Sequence, residues 1–213
     1  MNPSKRPERL HEALLYLVTG ARRDEGDLPE FLDAVLSAGV DIVQIREKET
    51  EAADVIRMGA VFRDAAERHG ALFIVNDRPD VALALEADGV HVGQNDLPVE
   101  VARALLGPEA IIGLSTHSPE QLDAAPTEAD YVCCGPVWET PTKPGRPAAG
   151  LELIRHAAEH ERRPWFAIGG INEANLSEVI EAGARRIVVV RAITEAHEAG
   201  TAVRHLAEKV RGF

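Results

Sequence analysis

Eight short apolar runs, separated by stretches with helical periodicity, restrict the fold of this chain more than any other feature. The runs span residues 14–19, 41–45, 72–75, 89–92, 111–114, 131–134, 165–168 and 186–190 of 213. They are too short for helices and rich in Val, Ile and Leu, as strands buried on both faces are. Amphipathic segments lie between them, several opened by Pro or Ser and closed by Gly: 27–38, 51–69, 78–87, 98–106, a segment starting at Ser118, 151–160, 173–182 and 195–211. A further short helix is expected over 10–15, after a loose tail over 1–8. Alternation of strand and helix calls for parallel pairing through helical crossovers. Eight such units predict one α/β domain over residues 9–213, a (β/α)8 barrel of the TIM type. In that architecture the active site is built from strand C-terminal ends and the loops after them.

Composition narrows the chemistry. Apolar residues make up 45% and aromatics only 4%, so aliphatic side chains must fill the interior. The formal net charge of −12 argues against binding to nucleic acid or to an anionic membrane. No apolar stretch approaches a membrane span, and the charged N-terminus lacks the apolar core of a signal peptide. Cys133 and Cys134 are adjacent in one strand, so they point to opposite faces and read as two small buried residues. A cytoplasmic protein is expected. Its oligomeric state is not legible, and a homo-oligomer is compatible with everything above.

Polar residues follow nearly every run. Gly169 and Gly170 lie between the seventh run and the next helix, where glycine lets an anion approach backbone N–H groups. A tight turn is the other reading of that pair; Arg191, just after the eighth run, favours a phosphate. Asn76, Asp77 and Asp96 follow the third and fourth runs. Two carboxylates at neighbouring strand ends can hold Mg²⁺, which completes its shell with water and substrate phosphate; alternatively, each caps the helix that follows. Gln44, Arg46 and Lys48 alternate after the second run and share one side if the strand continues that far. Their cations suit phosphate, although surface ion pairs with Glu47 would use them as well. The irregular segment 137–150 reads as an active-site flap carrying Thr140, Thr142, Lys143 and Arg146. Lys143 would be a third cation, and three cations with Mg²⁺ suit a departing pyrophosphate. Ser115 and His117 do not make a convincing nucleophile and base, being two residues apart with no orienting acid in view. Ser115 reads as a donor to a phosphate or a ring nitrogen; His117 either faces the cavity or caps the next helix.

The order of these motifs resembles the thiamine phosphate synthase family. The resemblance is carried by Gln44-Ile45-Arg46-Glu47-Lys48, Val75-Asn76-Asp77, His91-Val92-Gly93-Gln94-Asn95-Asp96, Gly113-Leu114-Ser115-Thr116-His117, the run from Gly135 to Lys143, and Ile168-Gly169-Gly170-Ile171. It implies two phosphorylated small-molecule substrates, the pyrophosphate ester of 4-amino-5-hydroxymethyl-2-methylpyrimidine and 4-methyl-5-(2-hydroxyethyl)thiazole phosphate. Gln44, Ile45, Arg46, Glu47, Lys48, Asn76, Ser115 and Lys143 match the family's pyrimidine-substrate segment, with Arg46, Lys48, Ser115 and Lys143 at the reaction centre. Asp77 and Asp96 match its Mg²⁺ ligands. Thr140, Pro141, Thr142, Gly170, Val190 and Arg191 match its thiazole-phosphate segment, where the family often carries a small hydroxyl residue in place of Arg191. Two rival readings remain. A thiazole tautomerase relative shares the Ser-x-His pattern but has no need of the two aspartates with Lys143. A noncatalytic barrel that binds a phosphorylated ligand would keep the glycine turn alone.

Overall fold

The computed structural model describes residues 5–140 and 147–212. Eight parallel strands close into a barrel in sequence order, β8 pairing back to β1. The strands are β1 (Leu15–Thr19), β2 (Ile42–Ile45), β3 (Leu72–Asn76), β4 (Gly89–Val92), β5 (Ile111–Thr116), β6 (Tyr131–Cys134), β7 (Trp165–Ile168) and β8 (Ile187–Val189). Helices α1 (Arg6–Glu12), α2 (Leu28–Ser37), α3 (Ala52–His69), α4 (Pro79–Ala84), α5 (Val99–Leu106), α6 (Pro119–Asp123), α7 (Gly150–His160), α8 (Leu176–Glu181), α9 (Arg191–Thr194) and α10 (Ala199–Arg211) complete the order. The expected TIM barrel is therefore the architecture found. No helix among the described residues is long and apolar enough to cross a membrane.

The two-residue period of each strand sorts side chains into two cores. Outward positions such as Leu17, Val43, Phe73 and Val90 pack against the helices. Inward positions such as Tyr16, Ile42, Ile74, Tyr131, Phe166 and Val188 fill the barrel. Cys133 belongs to the inner cluster and Cys134 to the outer one; neither forms a disulfide, and both are buried. Helix α1 starts at Arg6, inside the segment read as a loose tail, and its Leu10 packs into the inner cluster. This apolar plug anchors α1 to the barrel.

The N-terminal face of the barrel is tied by a repeated aspartate. Asp41, Asp88 and Asp130 precede β2, β4 and β6 and accept the amides of Leu15, Phe73 and Ile112 on the preceding strands at 2.9, 2.9 and 2.7 Å. Each aspartate also meets an arginine: Arg211, Arg6 and Arg103 respectively. Arg186 stands at the equivalent place before β8 and donates to the His11 carbonyl at 2.8 Å. Where such charged groups are desolvated, each hydrogen bond contributes about 1.5–3 kcal/mol. The rigid face is thus opposite the one that carries the site.

Several boundaries differ from expectation. The helix predicted over 195–211 begins only at Ala199, as α10, and a separate short helix, α9, precedes it directly after β8. Helix α8 begins at Leu176 because Asn172 and Asn175 form a turn: Asn175 Oδ1 accepts the Asn172 amide, and its Nδ2 donates to Gly170 O at 2.9 Å. Strand β2 ends at Ile45, so the alternation of Gln44, Arg46 and Lys48 is not carried by strand geometry.

Candidate active site

The strand C-terminal ends carry two adjoining groups of polar residues. Over β2 to β5 lie Gln44, Arg46, Lys48, Asn76, Asp77, Asp96 and Ser115. Asp77 follows β3 with φ of 60°, a left-handed conformation that Asp tolerates better than most residues. Its carboxyl shares a hydrogen bond with Asp96 and meets Lys48 Nζ at 3.2 Å. Burial, and then the neighbouring Asp96, push the Asp77 carboxyl above the usual carboxylate range, while Lys48 pulls it down. Asp96 also accepts the Gly93 amide at 2.9 Å. Neither aspartate caps a helix: α4 and α5 begin without a side-chain cap, at Arg78 and Pro98. A half-buried carboxylate in contact with an exposed one, opposed by Lys48, forms a hard oxygen-donor pair that can accept a divalent cation. Among the described residues no third His, Cys, Asp or Glu joins them, so water and substrate oxygens would fill the remaining positions.

Neighbours of Gln44 divide by role. The Ile45 side chain is buried in the outer core and does not face the cleft. Glu47 accepts the Ala21 amide at 2.7 Å and the Thr50 hydroxyl at 3.1 Å, so it ties the loops after β1 and β2 together. Arg46 has no side-chain partner among the described residues and remains available to an anion, as its phosphate reading requires.

Over β6 to β8 a cavity of about 430 Å³ opens. Thr140, Gly170, Val190 and Arg191 all line it, as does His117. Gly169 and Gly170 have φ of 105° and 70°, and a Cβ on Gly169 would lie 2.4 Å from Pro136. Both glycines are therefore demanded by the turn, and the turn is part of the cavity wall. Arg191 reaches the cavity but is held by Glu195 at 2.8 Å, one helical turn on. His117 Nδ1 donates to the Gly135 carbonyl at 2.5 Å. The helix cap that was its other reading belongs to Ser118, whose Oγ accepts the Gln121 amide. Pro141, Thr142, Lys143 and Arg146 lie outside the described residues.

One buried group escapes sequence reading. His91 on β4 bonds Ser115 Oγ through Nε2 at 2.9 Å and Tyr131 Oη through Nδ1 at 3.1 Å. The partner of Ser115 is thus a histidine from the adjacent strand and not His117. A signal was present: Tyr16, Gln44, His91 and Tyr131 are polar residues at inward positions of otherwise aliphatic strands.

With this geometry in place, similarity to known proteins becomes specific. A family model described as thiamine monophosphate synthase matches residues 15–193. The chain belongs to the thiamine monophosphate synthase family. It is 57% identical over 204 residues to the thiamine-phosphate synthase of Acidothermus cellulolyticus, covering 94% of this chain and 96% of that one. The thiamine-phosphate synthase of Thermobifida fusca is 58% identical over 206 residues, covering 95% and 94%. Among solved structures, thiamine phosphate pyrophosphorylase from Pyrococcus furiosus superposes with a TM-score of 0.86 at 34% identity, covering 95% of this chain and 98% of that one. Orotidine 5′-phosphate decarboxylase from Pyrococcus horikoshii shares the fold, with a TM-score of 0.67 at 15% identity.

Proposed function

We propose that this family member joins the two substrates named above at the barrel's C-terminal face, giving thiamine phosphate and pyrophosphate. The observation that carries this reading is the division of the site. An acidic pair with Lys48 against it sits over β2 to β4, and a separate cavity with a glycine turn sits over β6 to β8. One region suits a pyrophosphate with its cation, the other a phosphate monoester. A tautomerase would have no use for the first region.

In the reaction the bond between the pyrimidine methylene carbon and the pyrophosphate oxygen breaks, and that oxygen keeps the electron pair. The thiazole nitrogen supplies the pair for the new bond to carbon. Asp77 and Asp96 would hold Mg²⁺, and a bound Mg²⁺ supplies charge to the leaving pyrophosphate. Arg46 and Lys48 add positive charge where negative charge accumulates, the condition for stabilising the transition state more than the ground state. Gln44, Asn76 and Ser115 orient the pyrimidine. Lys143, beyond the described residues, would add its cation from the flap. No protein nucleophile is needed, because the pyrimidine amino group can delocalise positive charge onto the ring. Two buried cysteines outside any disulfide suit a reducing cytoplasm.

The test is pyrophosphate release. Release should require both substrates and Mg²⁺ together; release with either substrate alone, or none with both, would refute the reading. A second expectation concerns Arg191. Phosphate should draw its guanidinium from Glu195, so Arg191→Ala should raise the KM for the thiazole phosphate about tenfold with little change in kcat. An equal rise in KM for the pyrimidine substrate would show that Arg191 serves neither subsite in particular.

A further inference from the structure

A continuous hydrogen-bonded chain crosses the barrel interior from Gln44 to Ser115. Gln44 Nε2 donates to Tyr16 Oη, Tyr16 and Tyr131 hydroxyls lie 3.0 Å apart, and Tyr131 Oη lies 3.1 Å from His91 Nδ1. His91 Nε2 lies 2.9 Å from Ser115 Oγ. Five strands supply one member each. All five residues are buried.

Proton counting gives this chain a direction. Burial raises both phenols well above their ordinary range, so each keeps its single hydrogen. Tyr16 accepts from Gln44, and its own hydrogen has only the Tyr131 oxygen as acceptor among the described residues. If Tyr131 donated to Tyr16 instead, one buried hydroxyl hydrogen would go unused, at a cost of about 1–3 kcal/mol. Tyr131 therefore donates to His91 Nδ1, which leaves the His91 proton on Nε2, donating to Ser115. At the two ends, Ser115 keeps a hydroxyl hydrogen to donate and Gln44 keeps Oε1 to accept.

We infer that Tyr16, Tyr131 and His91 are positioning residues that lock Gln44 as an acceptor and Ser115 as a donor, selecting a 4-aminopyrimidine over its 4-oxo counterpart. This deepens the proposed function and rests on it. An aminopyrimidine offers an amino N–H to Gln44 and an acceptor, ring nitrogen or phosphate oxygen, to Ser115. A 4-oxopyrimidine presents the opposite pattern, C=O and ring N–H. That pattern sets acceptor against Gln44 Oε1 and donor against the Ser115 hydroxyl hydrogen, and a full match that leaves no hydrogen unpaired requires reversing every link together, including the His91 tautomer. A phosphate or ring acceptor at Ser115 opposes such a reversal, so selectivity arises from coupling between the two ends.

Two measurements test this. Ring ¹⁵N–¹H correlation spectra of the ligand-free protein should show His91 protonated on Nε2; protonation on Nδ1 would mean the chain runs the other way and would overturn the inference. Dissociation constants for the monophosphate esters of the 4-amino and 4-oxo 5-hydroxymethyl-2-methylpyrimidines then read selectivity without turnover. The intact protein should favour the amino ligand by about 10²-fold, and Tyr131→Phe, which cuts the chain at its centre, should reduce the ratio below about tenfold. Equal weakening of both ligands would indicate a merely structural role and overturn the inference. Tyr16→Phe cuts the next link and serves as the second variant should Tyr131→Phe not fold. Failure of the 4-amino ligand to bind the intact protein would overturn the pyrimidine assignment and the proposed function together, while the tautomer spectrum separately judges the direction of the chain.

Discussion

Asp77→Asn and Asp96→Asn should each lower turnover by about 10²–10³-fold, the several kcal/mol that metal-assisted charge stabilisation supplies. Asparagine is the right replacement at both sites. It tolerates the left-handed φ of 60° at position 77 and can still accept the Gly93 amide at position 96, so the loss reports charge and not shape. Stability should move the other way at position 77. The Asp77 carboxyl is raised by burial and by Asp96, so its ionised form is the costly one in the metal-free protein. The sign follows: its protonated form stabilises the fold at low pH, and that contribution is lost as the pH rises through the raised folded value. At neutral pH Asp77→Asn should therefore melt about 1–3 °C higher than the parent. Mg²⁺ reverses the comparison, because binding the folded state alone stabilises it. It should raise the melting temperature of the parent and leave both variants unmoved. Turnover near normal in both variants, or a Mg²⁺-induced shift that survives both, would end the metal assignment.

The alternation of apolar runs and amphipathic stretches was enough to read the barrel, because a strand buried on both faces reads as a near-continuous apolar run that stands out from the helical stretches beside it. The strand ends were less legible because buried polar residues continue some strands past the apolar run. Ser115 and Thr116 look like loop residues, yet both are buried and continue β5 by pairing with Cys133 and Cys134 on β6. Asn172 resembles a helix start, but its amide is taken by the Asn175 side chain and the helix is delayed. The aspartates, Arg191 and the glycine turn could be placed from sequence because each belongs to a strand end, and strand ends meet in this architecture. The Gln44 to Ser115 chain could not, since residue pairings across the interior depend on closure of the barrel and on the stagger between strands. Ion pairing was the opposite case: Lys48 lies beyond the end of its strand and reaches Asp77, a contact that no periodicity predicts.

Gly113→Ala should destabilise the protein by about 2–3 kcal/mol, although alanine is ordinarily the better strand residue. The reason is Tyr131. Its ring lies across Gly113, and a Cβ there would sit 2.1 Å from Cζ and 2.4 Å from the hydroxyl oxygen. The ring has no space to retreat into. It packs edge-on against Tyr16 and Phe166 at centroid distances of 6.0 and 5.7 Å, and its hydroxyl lies between Tyr16 and His91. A shift that relieves the new methyl must break those contacts, so strain and lost hydrogen bonding add together. The position therefore couples fold to site: the absence of a side chain on β5 makes room for the ring that links Gln44 to Ser115. A double-mutant cycle separates this cause from a generic defect. Tyr131→Leu alone should cost several kcal/mol, because it removes a buried aromatic ring from the centre of the barrel. In the Gly113→Ala background the same substitution should cost at least 1 kcal/mol less, since the added methyl then occupies part of the vacated volume. Denaturant unfolding of the four proteins gives the coupling directly. Strict additivity would show that the ring and the glycine are independent, and that the closeness of Tyr131 does not explain the need for glycine at position 113.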